Sequence, residues 1–168
     1  SRLSEEAVLA VKSGKTLLIL DDSMAHQQNA YWLDPHLVTS AVDQALVKAQ
    51  LRRKCSIVLR SAAIRSLHDI MIALGLGADL ISRYYMFITV NDGTARPLVN
   101  LYQALTKGIE KVISTIGIHE LRGYGRLFSA IGLHEEAADL LNIVNFFGSN
   151  KSGYDFTQMK ADAHSRAT

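Results

Sequence analysis

The chain has 168 residues, 48% of them hydrophobic and 20% charged, with a formal net charge of +2. That is length enough for one domain with a real core, and too little positive charge to argue for a nucleic-acid partner. The single cysteine, Cys55, excludes an intrachain disulfide and a cysteine-based zinc site, and no apolar run approaches the roughly 18–20 residues that span a bilayer. The polar, acidic N-terminus does not read as a signal peptide, so a cytoplasmic location is expected.

In chain order, Ser4 is positioned to cap a short helix running through Glu5 and Glu6 to Lys12, with Gly14 after its end. Thr16 to Leu20 is a continuous apolar run ending in Asp21-Asp22, a pattern that suits a strand buried on both faces of a parallel sheet. A polar loop follows from Ser23 to Leu33. Asp34-Pro35 then opens a helix, because Asp caps and Pro is tolerated at the first helical position. Val38, Val42, Leu46 and Ala49 recur there at helical spacing. The basic run Arg52-Arg53-Lys54 reads as the last turn of that helix, where cations suit the macrodipole. Cys55 is a small buried residue at the entry to a second strand, Ser56 to Leu59.

Ser66 with Asp69 resembles a capping box, and Gly75 and Gly77 stop the helix it opens. Ala78 to Ile81 reads as a third strand. Each connection contains a helix, so strands 16–20, 56–59 and 79–82 are expected to be parallel in one sheet. Asn91-Asp92-Gly93 is a turn signal. Pro97 opens a long helix whose stripe includes Leu101, Leu105, Ile109 and Val112, leaving Gln103 and Lys107 outside. Gly117 ends it. Short helices are expected at 123–131 and 134–143, a polar hinge from Gly148 to Gly153, and a last helix from Asp155 to His164. The fold class is therefore α/β: a short parallel sheet with crossover helices, like part of a barrel, and a helical C-terminal half, in one domain over 1–168.

Gly75-Leu76-Gly77 follows a helix and precedes a strand, the wrong order for a dinucleotide loop, so the structural reading is preferred. The six histidines lack local metal-ligand spacing. Asp21, Asp22, Arg60, Ser61 and Arg83 stand at or near the carboxyl ends of the three strands, where α/β sheets place functional residues. They form either a ligand site or a salt-bridged rim at a domain interface. The rim is favoured, because no nucleophile–base pair can be named among them. No catalytic, cofactor or metal residue is assigned.

Residues 16–140 resemble the central domain of the glutamate synthase large subunit. Leu17-Leu18-Ile19-Leu20-Asp21-Asp22 matches a family strand of the type L-L-V-L-S-D, and Leu51-Arg52 matches the pair ending the next helix. Arg65-Ser66-Leu67-His68 and Leu74-Gly75-Leu76-Gly77-Ala78-Asp79-Leu80-Ile81 follow in family order. The most specific stretch is Asn100, Lys107-Gly108, Lys111, Ser114, Gly117-Ile118, Gly123-Tyr124 and Leu127-Phe128-Ser129-Ala130-Ile131-Gly132-Leu133. Departures fall at Arg60, Asp69, Arg83 and Thr115, where the family has glutamate, histidine, proline and lysine. Asn150-Lys151-Ser152 replaces an S-R-I element.

The resemblance implies a non-catalytic, interdomain role in glutamate biosynthesis and nitrogen assimilation. It would link an amidotransferase domain to a flavin domain and help wall the ammonia route between them. Those two domains, in the same chain or a separate subunit, are the implied partners, with a second copy of the chain as a further candidate. No cofactor, nucleic acid or membrane is expected. Two rivals stay open: a stand-alone small-molecule or anion binding module using the strand ends, and a small flavin or phosphate-sugar enzyme of barrel ancestry.

Overall fold

The computed structural model describes residues 2–26, 32–121, 124–125, 128–129, 131–148 and 152–167. Its apolar runs become a three-stranded parallel sheet in the order β1 (Leu17–Asp21), β2 (Ser56–Arg60), β3 (Leu80–Ser82). The register is Ile19 to Val58 to Leu80 across the sheet, and Asp21 to Arg60 to Ser82 one pleat further on. The expected parallel pairing of all three strands is therefore present.

Preceding the sheet, α1 (Arg2–Lys12) ends at Gly14, whose φ of 93° is the left-handed closure that favours glycine. Ser4 is a correction: it lies inside the helix, buried, and its hydroxyl donates to the Ala41 carbonyl at 3.3 Å. It fastens α1 to α2 instead of capping α1. The α2 helix (Pro35–Lys48) starts as the sequence implies, with the Asp34 carboxylate accepting from the His36 and Leu37 amides at 2.8 and 3.4 Å. Ser66 and Asp69 make a reciprocal capping box at the start of α3 (Leu67–Gly75).

The basic run is a second correction. Arg52–Lys54 forms a separate 3₁₀ turn beyond the end of α2. Arg52 turns inward, with Nε 2.5 Å from the Asp43 carboxylate and Nη2 2.8 Å from that of Asp79 and from the Gly77 carbonyl. Burial works against this cation, but the two carboxylates outweigh it and hold its pKa above the ordinary value.

One side chain face of the sheet is covered. Leu18 and Ile57 pack with Ala7 and Val11 of α1 and with Val42 and Leu46 of α2. Leu59 packs with Ile70 and Ala73 of α3, Met86 of α4 (Tyr84–Val90) and Leu105 of α5 (Arg96–Thr115). The opposite face is open, which corrects the expectation of strands buried on both faces. Leu17, Ile19 and Leu80 are 55%, 58% and 59% exposed. The reason is topological: the strands run in sequential order and every helix named here packs on one side, as in a segment of a barrel wall.

The α4 helix was not foreseen. Its sequence Tyr84-Tyr85-Met86-Phe87-Ile88-Thr89-Val90 is aromatic and β-branched, a strand-like composition that tertiary packing overrides. On α5, Leu105 is buried, Leu101, Ile109 and Val112 are half-buried, and Gln103 and Lys107 are exposed. The stripe is the one expected, although packing on α3 and α4 leaves most of it only half covered. Gly117, with φ 78°, closes the helix.

Within the expected helix at 123–131, Phe128–Ser129 is instead a short strand, β4, paired in parallel with β5 (Val144–Asn145); 123, 126–127 and 130 lie outside the described residues. The α6 helix (Glu135–Leu141) lies between them. It docks on α2 through Ser40 and Gln44, which donate to the Leu140 carbonyl at 2.8 and 2.5 Å. The last helix, α7, spans Phe156–Ala167. The hinge residues 149–151 lie outside the described residues, as does the S-R-I replacement apart from Ser152.

Candidate functional site

The carboxyl ends of β1 and β2 bring four of the five singled-out residues together. Asp21 and Arg60 are cross-strand partners on the open face, and their side chains pair at 2.6 Å. The Ser23 amide bound to Asp21, aided by Arg60, holds that carboxyl below its usual value. Asp22 is the hub. Its carboxylate accepts from the Ser61 hydroxyl, from the Ala62 amide at 3.1 Å, from the Tyr84 hydroxyl at 2.9 Å and from the Trp32 indole at 3.4 Å. Ser61 is fully buried. The Tyr84 ring also lies under the Arg60 guanidinium, 4.8 Å from its centroid.

Two members of this cluster, Trp32 and Tyr84, escaped the sequence reading. Trp32 sits in an irregular loop and Tyr84 opens the unforeseen α4, so neither had a periodic signal to place it. The adjacency of Asp22, Ser61 and Tyr84 follows from three consecutive parallel strand ends, and could have been found once the register was known.

Arg83 does not join the cluster. It precedes α4, with its guanidinium 5.2 Å from the Phe87 ring centroid, and its buried Nε has no hydrogen-bond partner. Burial lowers its pKa from the ordinary arginine value. The family-motif residues also lie elsewhere. Asn100, Lys107 and Lys111 recur on the exposed face of α5, and no hydrogen bond or ion pair among the described residues joins them to the strand ends. Gly108 is a packing residue: a Cβ there would stand 2.5 Å from a Leu67 methyl, so glycine lets α5 approach α3. Tyr124 is half-buried, and burial raises its pKa.

A cavity of about 1190 Å³ lies between α2, α3 and α7 and is lined by residues including Leu37, Ile72, Leu133 and Met159. Of the strand-end cluster it includes Trp32 alone. At its polar corner, His36 places Nδ1 3.4 Å from the Asp34 carboxylate and Nε2 3.1 Å from the Asp69 carbonyl. Burial opposes the imidazolium, yet these two acceptors leave the His36 pKa raised. Among the described residues no group of three or more His, Cys, Asp or Glu could hold a metal ion, and no helix is long and apolar enough to cross a membrane.

Tyr84 makes the cluster testable by pH. Burial, followed by the nearby Asp22 carboxylate, pushes its phenol up to about 12. An unfolded tyrosine ionises near pH ~10. The neutral phenol therefore favours the fold, and this contribution is complete below about pH 10 and lost as pH rises towards about 12. An alkaline absorbance titration should show one tyrosine ionising about two units late. Tyr84→Phe should remove that late component. A late component unchanged in this variant would assign it to another tyrosine.

These observations define a class: a parallel α/β segment with helices on one side and strand-end polar groups that bond chiefly to one another. The sequence model of the family described as glutamate synthase central domain matches residues 1–134. The chain belongs to that family. It is 30% identical over 145 residues to the glutamate synthase [NADPH] large chain of Bacillus subtilis (strain 168), covering 80% of this chain and 10% of that one. It is 28% identical over 152 residues to the ferredoxin-dependent glutamate synthase of Antithamnion sp., covering 77% and 10%. The chain thus spans about 10% of the length of these relatives. A solved L230A mutant flavocytochrome b2 with benzoylformate matches with a TM-score of 0.65 at 19% identity, covering 72% of this chain and 31% of that one. At that identity the likeness concerns the fold alone.

Proposed function

We propose that the chain serves as a non-catalytic, interdomain element of a glutamate synthase, set between amidotransferase and flavin domains and helping to wall the ammonia route between them. The observation that carries this reading is the fate of Asp22. A general base at a strand end needs a lone pair directed at substrate. Asp22 instead accepts from Ser61, Ala62, Tyr84 and Trp32. Cys55, the one thiol, is buried, and burial raises its pKa, the opposite of an activated nucleophile. The strand ends act as a rivet that fixes β1, β2 and α4 to one another.

The test is co-expression of the chain with the amidotransferase and flavin regions of the Bacillus subtilis relative. The chain should co-elute with them at a fixed ratio on a sizing column. Elution of the chain by itself at every concentration tried would count against the reading. The anion-binding alternative draws on Arg83, whose buried Nε lacks an acceptor. A thermal-shift series with phosphate, glutamate and 2-oxoglutarate separates the two, since a rivet without a ligand site gives no saturable shift.

A further inference from the structure

The open face of the sheet is built in rows. Ile19, Val58 and Leu80 are register partners on three adjacent strands, so they form one apolar line across the sheet. Leu17 extends the apolar strip one pleat towards the amino ends, beside Ser56. One pleat the other way, the row becomes Asp21, Arg60 and Ser82, with Asp21 and Arg60 ion-paired and Tyr84 stacked on Arg60. An apolar strip bounded by a polar row is the composition of an interface centre and its rim.

Parallel sheets are covered on both faces almost without exception, because a half-solvated parallel strand leaves its apolar residues in water. Here Ile19 and Leu80, at the two ends of the central line, are 58% and 59% exposed. The helices packed on the sheet, α1 to α5, all belong to cores on the opposite face. The relatives are single polypeptides of which the matched region is about 10%. In flavocytochrome b2 too, the matched fold occupies only 31% of a longer chain. In these proteins the matched unit is one part of a longer chain.

We infer that the Leu17, Ile19, Val58 and Leu80 strip is the docking surface of this domain, covered by an apolar surface from a neighbouring domain of the same glutamate synthase polypeptide, with the Asp21–Arg60 pair at its rim. This rests on the interdomain role proposed above and names the face that performs it. Apolar side chains at the centre exclude water, and the ion pair at the margin sets orientation.

The test compares the double substitution Ile19→Lys/Leu80→Lys in two settings, with Leu9→Lys, at a 64% exposed position on α1, as control. One setting is the chain alone. The other is the Bacillus subtilis large chain carrying this sequence in place of its matched region. In the chain alone the double substitution should leave the melting temperature within about 2 °C, because both positions face water. In the chimera it should lower the melting temperature by about 4 °C or more, since two ammonium groups would be desolvated against an apolar surface. Leu9→Lys should be silent in both.

A chimera in which this segment melts jointly with its neighbours but ignores the double lysine overturns the face while sparing the interdomain role. Separate melting at the temperature of the isolated chain overturns the role itself. Concentration-dependent association of the chain alone, abolished by the double lysine while the chimera is indifferent, would assign the face to a second copy and overturn the inference. The same two substitutions at the aligned positions of the intact Bacillus subtilis large chain give a reading that needs no chimera. Destabilisation is expected there as well, and wild-type melting would contradict the proposal.

Discussion

Gly77→Ala should lower the stability of the fold by about 2–4 kcal/mol in a reversible denaturant melt. Two effects act together. Gly77 has φ 112°, a region that side-chain-bearing residues rarely adopt. A Cβ built there would also stand 2.5 Å from Cγ and Oδ1 of Asp43. Asp43 is not free to move, because it holds Arg52 at 2.5 Å, and Arg52 in turn holds Asp79 and the Gly77 carbonyl. Asp79 completes the ring by accepting from the Ile57 amide at 2.8 Å, at the centre of the sheet. Displacing Asp43 therefore loosens the clamp that joins α2, the 3₁₀ turn and the entries to β2 and β3. A loss below about 1 kcal/mol would show that the backbone at Gly77 relaxes and that the clamp tolerates the shift.

The second large effect is Leu46→Ala, expected to cost about 3–5 kcal/mol. Leu46 is fully buried and packs in the cluster that joins α1, α2, β1 and β2. Three elements would have to move to refill the space, so the cavity term adds to the lost transfer energy. Leu105→Ala removes the same atoms from α5, where the neighbouring stripe is only half-covered. Its loss should sit at the low end, about 2–3 kcal/mol. Equal losses for the two leucines would mean that α5 packs more tightly than its exposure indicates.

Much of the sheet was legible because local and global signals agree there. The three apolar runs are separated by capped helices, and Asp34-Pro35 and the Ser66–Asp69 box make the caps the sequence spells out. What was not legible depended on tertiary context. The alternation of exposed and buried residues along β1 cannot be seen in Leu17-Leu18-Ile19-Leu20, since all four are apolar. An apolar run tells that a strand wants both faces covered, and here only one face finds its cover within the described residues. Arg52 read as a helix-end cation because its two carboxylate partners, Asp43 and Asp79, lie nine residues before it and 27 after it.

The strand-end site divides in the same way. Asp21, Asp22, Arg60 and Ser61 were found because α/β topology collects residues at strand ends, and the structure joins them. Arg83 was grouped with them by the same rule, but the chain turns directly into α4 and carries its guanidinium onto Phe87. Asn100, Lys107 and Lys111 of α5, singled out by the resemblance, form no site with the strand ends among the described residues. Their exposure suits contact with other domains, as the proposed role requires.

The most direct measurement is made on the chain purified without added cofactor. Its visible spectrum is recorded, and glutamate formation from 2-oxoglutarate is assayed with glutamine and then with ammonia as nitrogen donor. A structural interdomain element should show no flavin absorbance and no turnover above a buffer blank with either donor. A stoichiometric flavin, or turnover that scales with protein concentration, would contradict the account and favour an enzyme of barrel ancestry.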